Sequence, residues 1–134
     1  MLVSHVTNVN GDAYPVAPVA KEIYGIRSGS GLVGAVEDAT TVIQTADTGT
    51  VVTSSIDAGG RLSVIGSGAA NGRGSFLKLE ADKGIAAIQY ADADGSESTA
   101  YITETMFARF YVLPVDTQYI AMGCTESNLS LIHI

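Results

Sequence analysis

The sequence predicts an all-β, antiparallel fold. Helical periodicity is almost absent; instead, β-branched segments alternate with Gly, Asp and Asn at intervals of about 8–12 residues, a spacing typical of a β-sandwich or barrel. The dipeptides Asn71-Gly72 and Asp94-Gly95 favour tight hairpin turns, because both residue types tolerate a positive φ. The best helical candidate is the short segment 17–24, for which we expect one or two turns.

A Gly/Ser-rich stretch marks the expected boundary between an N-terminal segment and a β domain. Residues 25–40 are rich in Gly and Ser, so we interpret residues 1–40 as an irregular N-terminal segment or linker. A β domain is expected over residues 41–128. Its predicted strands are 41–44, 50–56, 61–65, 75–80, 85–90, 99–102, 105–112 and 118–122.

The strand predicted over residues 105–112 is the most informative, because alternate side chains of a strand point to opposite faces of its sheet. One face is entirely apolar, which predicts burial against a second sheet, and consists of Met106, Ala108, Phe110 and Val112. The other face carries Phe107, Arg109 and Tyr111. This mixture of aromatic and cationic groups predicts a binding surface on the outer side of the sheet.

Residues from about 47 to 128 resemble the opening half of a concanavalin A-like (laminin G-like) jelly-roll domain. The resemblance is one of pattern and order, and it is carried by segments 60–65, 74–80, 85–90 and 106–114. It implies an antiparallel β-sandwich of which this chain holds the N-terminal portion only, so the domain is expected to be truncated.

The last six residues, Leu129 to Ile134, resemble the translation of an adapter used in preparing sequencing libraries. We therefore expect the natural sequence to have been cut near Asn128, in a metagenomic fragment, and give His133 no functional weight. The alternative is a genuine apolar terminal strand.

Charge and composition exclude several classes of function. The formal net charge of −7 gives no electrostatic footprint for nucleic acid. The single cysteine, Cys124, excludes a disulfide framework and a Cys-rich zinc site, and His5 has no histidine partner for a metal site. No run approaches the 18 apolar residues of a membrane span, so none is expected.

Some jelly rolls of this superfamily hydrolyse glycans with a pair of carboxylates. Glu80 and Asp82 have suitable spacing, but residues 83–85 supply no third acidic group to complete the family pattern. We interpret both as solvated acids, name no catalytic residue, and expect a protein that is not an enzyme.

Asp92, Asp94 and Glu97 form an acidic cluster around the predicted turn at Gly95. Several carboxylates in one loop can bind Ca²⁺, and laminin G-like domains often do so. The alternative is a solvated hairpin tip, and no other cofactor is expected.

Aromatic rings can stack on sugars, while an arginine can hydrogen-bond their hydroxyl groups. Arg109 and Tyr111 are the leading candidates for ligand contact, together with Phe107 and Tyr90; the alternative is that the rings belong to the core. The resulting hypothesis is a non-catalytic carbohydrate- or surface-binding module of a larger extracellular or virion-associated protein, whose partner is a glycan or cell-surface ligand. One alternative is a phage tail, fibre or capsid-decoration protein that assembles with other virion proteins, and another is a fragment of a glycan hydrolase or lyase.

Overall fold

A computed structural model describes residues 2–7, 10–15, 19–27, 30–65, 75–91 and 99–107. Its strands are β1 (Leu2–Thr7), β2 (Asn10–Pro15), β3 (Ala20–Arg27), β4 (Ser30–Ala35), β5 (Thr40–Ala46), β6 (Val51–Ile56), β7 (Leu62–Ser63), β8 (Ser75–Ala91) and β9 (Thr99–Ala100). A 3₁₀ helix follows at Glu104–Met106, and the described residues contain no α-helix. Every pair of strands within the described residues is antiparallel, so the predicted all-β antiparallel class is confirmed.

Strands β3 to β9 belong to one seven-stranded sheet, and β1 and β2 form a separate pair. The centre of the large sheet is β8, which pairs along one edge with β5 and then with β4. Strands β6 and β7 continue outward from β5 and β4 in the same way. Three long segments therefore run side by side, each antiparallel to its neighbour. We call them the three lines: residues 30–46 are the first, residues 51–63 the second, and β8 the third.

All three lines cross a corner, which we define as residues 36–39, 57–61 and 81–84. Ala35 lies opposite Ile85 and Val42 opposite Ala81, so more residues of the first line than of β8 pass through the corner. Extra residues on one strand of a pair bend the sheet in the manner of a β-bulge. The corner thus separates the β5–β6 half of the sheet from the β4–β7 half.

At the corner, the carboxylates of Asp38 and Asp57 each accept a hydrogen bond from a backbone N–H of the neighbouring segment. The backbone N–H of Ala39 donates to Asp57 Oδ1 at 2.9 Å, and that of Ala58 donates to Asp38 Oδ1 at 3.1 Å. Asp82 on β8 accepts from the N–H of Thr41 at 2.8 Å. Because these side chains satisfy backbone donors that leave the regular ladder, they hold the bend in place.

Ala39 has a φ of 51° and is the one described non-glycine residue in the left-handed region. A side chain there costs about 1–2 kcal/mol, whereas the added chain entropy of glycine costs about 0.5–1 kcal/mol. We expect Ala39→Gly to raise the free energy of unfolding by about 0.5 kcal/mol in urea denaturation. Ala58→Gly, at a corner position without positive φ, is the control and should lower it; an equal loss in both variants would contradict the prediction.

One core lies between the two halves of the folded sheet. Along β8 the side chains alternate on both sides of the corner, and the buried, inward ones are Leu77, Leu79, Ile85, Ala87 and Gln89. Val42 from one half and Val33 from the other join the same buried cluster. Gln44, only 1% exposed, connects the halves directly, because its Nε2 donates to Ser63 O at 3.1 Å and its Oε1 accepts from the Ile65 N–H at 2.8 Å.

The other edge of β8 is covered by β3 and then by β9. Beyond β9 the chain passes to the outer edge of β3, where Tyr24 and Ile102 exchange two backbone hydrogen bonds of 2.7 and 2.9 Å. Between these positions Tyr101 is fully buried, and its ring packs directly on the backbone of Gly25. The sheet therefore curls far enough to enclose its core on this side.

Four expectations need correction. The helix expected at 17–24 is wrong, since β3 begins at Ala20, and the segment expected to be irregular, residues 1–40, contains β1, β2, β3 and β4. The separate strands expected at 75–80 and 85–90 are one strand, β8. Met106 is 50% exposed rather than buried, because the 3₁₀ helix breaks the predicted strand alternation at that point. The chain after residue 107, including the expected boundary at residue 128, lies outside the described residues.

Among the described residues, no helix is long and apolar enough to cross a membrane.

Candidate ligand-binding face

The outer surface of β3 and the first half of β8 carries three cross-strand pairs. Glu22 lies opposite Glu80, Tyr24 opposite Lys78, and Ile26 opposite Phe76. The intervening residues of both strands, such as Ile23 and Leu79, point into the core. Strand alternation alone therefore sorts a row of charged and aromatic side chains onto the outer surface.

Three aromatic rings meet on this surface. The centroid of the Tyr24 ring lies 5.6 Å from that of Phe76, with an interplanar angle of 28°, and 5.3 Å from that of Phe107, at 59°. Both distances fall in the range of favourable aromatic pairs. Tyr24 is buried between two phenylalanines that remain partly exposed, so the central ring fixes the outer two.

Charged groups border the rings. The Tyr24 hydroxyl donates to Glu22 Oε1, while Lys78 Nζ lies 3.3 Å from Glu22 Oε2 and 2.9 Å from Glu80 Oε1. The same ammonium nitrogen sits 6.0 Å from the centroid of the Tyr24 ring. Glu104 lies on the neighbouring 3₁₀ helix, where its carbonyl accepts from the Phe107 N–H at 2.9 Å. We call this set the aromatic–acidic face: Glu22, Tyr24, Phe76, Lys78, Glu80, Glu104 and Phe107.

The contacts shift three pKa values in directions that preserve the network. Burial, followed by the hydrogen bond to Glu22, raises the pKa of Tyr24 to about 12. The hydrogen bond from Tyr24 holds the pKa of Glu22 below its usual value, and Lys78 adds to this effect. The hydrogen bond to Glu80 raises the pKa of Lys78. At neutral pH the face therefore holds a neutral tyrosine, a lysine cation and the carboxylate of Glu22.

Removing the tyrosine hydroxyl should be visible in the titration of its partner. We expect Tyr24→Phe to raise the pKa of Glu22, since the largest cause of the lowering is lost. A carboxyl group with a lowered folded-state pKa stabilises the protein above its unfolded-state pKa, and this stabilisation is lost as pH falls through the folded-state value. The variant should therefore lose less stability on acidification than the original protein.

Side-chain carboxyl ¹³C shifts recorded against pH would measure this change. Thr53→Val, an exposed substitution on β6, is the control and should leave the Glu22 titration curve unchanged. An unchanged Glu22 curve in Tyr24→Phe would contradict the assigned hydrogen bond.

The structure locates only part of the site predicted from sequence. Phe107 belongs to the aromatic–acidic face. Tyr90 lies near the end of β8, where the structure describes its backbone alone. The other predicted residues lie outside the described part of the chain: Arg109, Tyr111, Asp92, Asp94, Glu97 and Cys124.

Tyr24 and Phe76 are central to the face but were not among the predicted site residues. The signal that could have identified Tyr24 is the alternation of Glu22, Tyr24 and Ile26, which appears once this segment is interpreted as a strand. Glu80 and Asp82, considered above as an acidic pair, have different partners: Glu80 binds Lys78, and Asp82 accepts from a backbone N–H at the corner.

Within the described ranges, no group of three or more His, Cys, Asp or Glu side chains is arranged to hold a metal ion. The calcium site predicted at Asp92, Asp94 and Glu97 lies outside those ranges and stays a prediction.

Comparisons with known proteins add no relative to this description. No protein-family model, no curated protein and no solved structure matches the chain.

Proposed function

We propose that the protein is a non-catalytic carbohydrate-binding module and that the aromatic–acidic face is its binding surface. The observation that carries the proposal is the pair of partly exposed phenylalanines, Phe76 and Phe107, held on either side of the buried Tyr24 ring. Such rings offer apolar area to the C–H groups of a sugar, and the flanking carboxylates can accept hydrogen bonds from its hydroxyl groups.

Binding suits the face better than hydrolysis. A glycosidase of the common two-carboxylate type needs one carboxylic acid whose pKa is raised, so that it can protonate the leaving oxygen. The pKa of Glu22 is instead lowered, and Lys78 bridges this carboxylate to that of Glu80. Glu22 and Glu80 therefore hold a cation between them, which is not the arrangement of a proton-donating acid.

The concanavalin A-like jelly-roll assignment and an extracellular or virion-associated setting are parts of this proposal. An antiparallel sheet folded over one core is compatible with the jelly-roll assignment.

Titration of the protein with cellohexaose, xylohexaose and chitohexaose, followed by ¹⁵N–¹H NMR, tests the proposal. We expect at least one hexasaccharide to shift the amide signals of β3, the first half of β8 and residue 107. Phe107→Ala should weaken that binding by about fivefold or more, the equivalent of one aromatic contact. Phe107→Tyr, which keeps the ring, should retain it.

Val36→Ala is the matched control, because Val36 is 54% exposed and lies at the corner, away from the rings. It removes exposed apolar surface without touching the face and should leave binding unchanged. Failure of all three hexasaccharides to bind at millimolar concentration, or equal weakening by Val36→Ala and Phe107→Ala, would refute the proposal.

A further inference from the structure

The aromatic–acidic face already binds an ammonium group, that of its own Lys78. The nitrogen lies between one oxygen of Glu22, at 3.3 Å, and one of Glu80, at 2.9 Å, with the Tyr24 ring 6.0 Å away. Two carboxylates and an aromatic ring are the groups that select an organic cation. The arrangement is accessible, since the side chains of Glu22 and Glu80 are 43% and 41% exposed.

The face carries more acidic side chains than basic ones. Glu22, Glu80 and Glu104 surround the rings, and Lys78 is the one cation among the residues that define the face. The fields of Glu22 and Glu104 both reach the Tyr24 hydroxyl, where each raises its pKa. Thr45, the residue of β5 opposite Lys78, is uncharged. A ligand that brings its own cations would complement this surface, whereas a polyanion would be repelled.

We propose that the ligands of this face are amine-bearing glycans, with glucosamine oligomers as the type case, and that Lys78 occupies the position of the ligand's ammonium group in the free protein. The inference rests on the proposed function, since it specifies the class of sugar that the same rings would bind. The sugar ring would lie on Phe76 and Phe107, and its ammonium group would be drawn to the carboxylates of Glu80, Glu22 and Glu104.

The decisive comparison uses two probes with the same glucose backbone: hexaglucosamine, which carries free amino groups, and chitohexaose, in which every amino group is acetylated and uncharged. At pH 5.5 the amines of hexaglucosamine are protonated, and we expect it to bind about two- to fivefold more tightly than chitohexaose, the equivalent of one exposed ion pair. At pH 8, where most of these amines are neutral, the two affinities should converge. The affinity of chitohexaose should be the same at both pH values.

Two variants separate the roles of the charges. Glu80→Gln should weaken hexaglucosamine binding by about two- to fivefold more than it weakens chitohexaose binding, because only the charged ligand loses an ion pair. Lys78→Met removes the internal competitor while retaining an unbranched apolar side chain, and should strengthen hexaglucosamine binding by a similar factor. Thr53→Val, a substitution at an exposed position on β6, is the control for both variants and should leave the binding of both hexasaccharides unchanged.

The outcomes distinguish the inference from the function on which it rests. Equal affinity for the two hexasaccharides at pH 5.5, or a Lys78→Met variant that binds hexaglucosamine more weakly, would overturn the inference while leaving a carbohydrate-binding face. Failure of hexaglucosamine to bind would overturn the inference alone if one of the neutral hexasaccharides still bound, and the function as well if none of them did. Pentalysine binding as tight as that of hexaglucosamine, with the same response to Glu80→Gln, would assign the face to basic peptides instead.

Discussion

Replacing Gln44 with leucine is expected to lower the free energy of unfolding by about 1–3 kcal/mol, because two partly buried backbone groups lose the hydrogen-bond partner that this buried side chain provides. Leucine is of similar size, so the packing volume is largely conserved. The loss comes from the carbonyl of Ser63 and the N–H of Ile65, which the amide of Gln44 bridges at 3.1 and 2.8 Å. Urea denaturation monitored by far-ultraviolet circular dichroism would measure the change.

Gln44→Glu separates hydrogen bonding from packing. The introduced carboxylate keeps the acceptor for Ile65 but presents a negative oxygen to the Ser63 carbonyl. Burial raises the folded-state pKa of this carboxyl above its unfolded value, so the variant should lose stability as pH rises above the unfolded-state pKa and recover part of it in acid. Thr53→Val, which is exposed, is the control. A Gln44→Leu variant as stable as the original would show that the bridge contributes nothing.

Gly25→Ala is expected to be comparably damaging, at about 3 kcal/mol, because the new methyl group would overlap the buried ring of Tyr101. A Cβ at this position would lie 2.6 Å from Cγ of that ring, and closer still to two other ring carbons. Tyr101 is fully buried, so its ring has no room to move aside. Urea denaturation of the two proteins would measure the loss.

Gly34→Ala supplies the matched control for this prediction. Gly34 also lies within a strand of the large sheet, but a Cβ there would meet no atom within 4 Å. Because alanine has fewer unfolded conformations than glycine, this variant should be as stable as the original or more stable, by up to about 1 kcal/mol. Equal destabilisation by both substitutions would mean that loss of glycine in a strand, and not the Tyr101 contact, is responsible.

Strands β5 and β6 were predictable because their signal is local. Segments such as 41–44 and 50–56 combine β-branched residues with flanking turn residues, and β5 and β6 form there. Residues 81–84, however, contain Asp82 and Gly84, which are typical of a turn, and were expected to separate two strands. In the structure they form the corner of one strand, because the pairing partners on both sides remain in line along β8.

The helix expected at 17–24 failed for a different reason. Alanine, lysine and glutamate favour a helix locally, but pairing with β8 places Ile23 in the core opposite Leu79, and this burial outweighs the propensity. Because residues 17–24 were expected to form a helix, the part of the candidate site that lies on β3 was not predicted. Tyr24 and Phe76 are far apart in the sequence, and only the register between β3 and β8 brings their rings together.

Because β8 runs continuously through the corner, we expect the two halves of the large sheet to unfold together. Strands β3 and β5 are attached to its first half, and β4 and β9 to its second half, with inward side chains from both halves in one cluster. Neither half can detach without exposing side chains of a strand that the other half also needs. We therefore expect the amides of β8 on the two sides of Gly84 to exchange their hydrogens with the same free energy of opening, in a single cooperative unit.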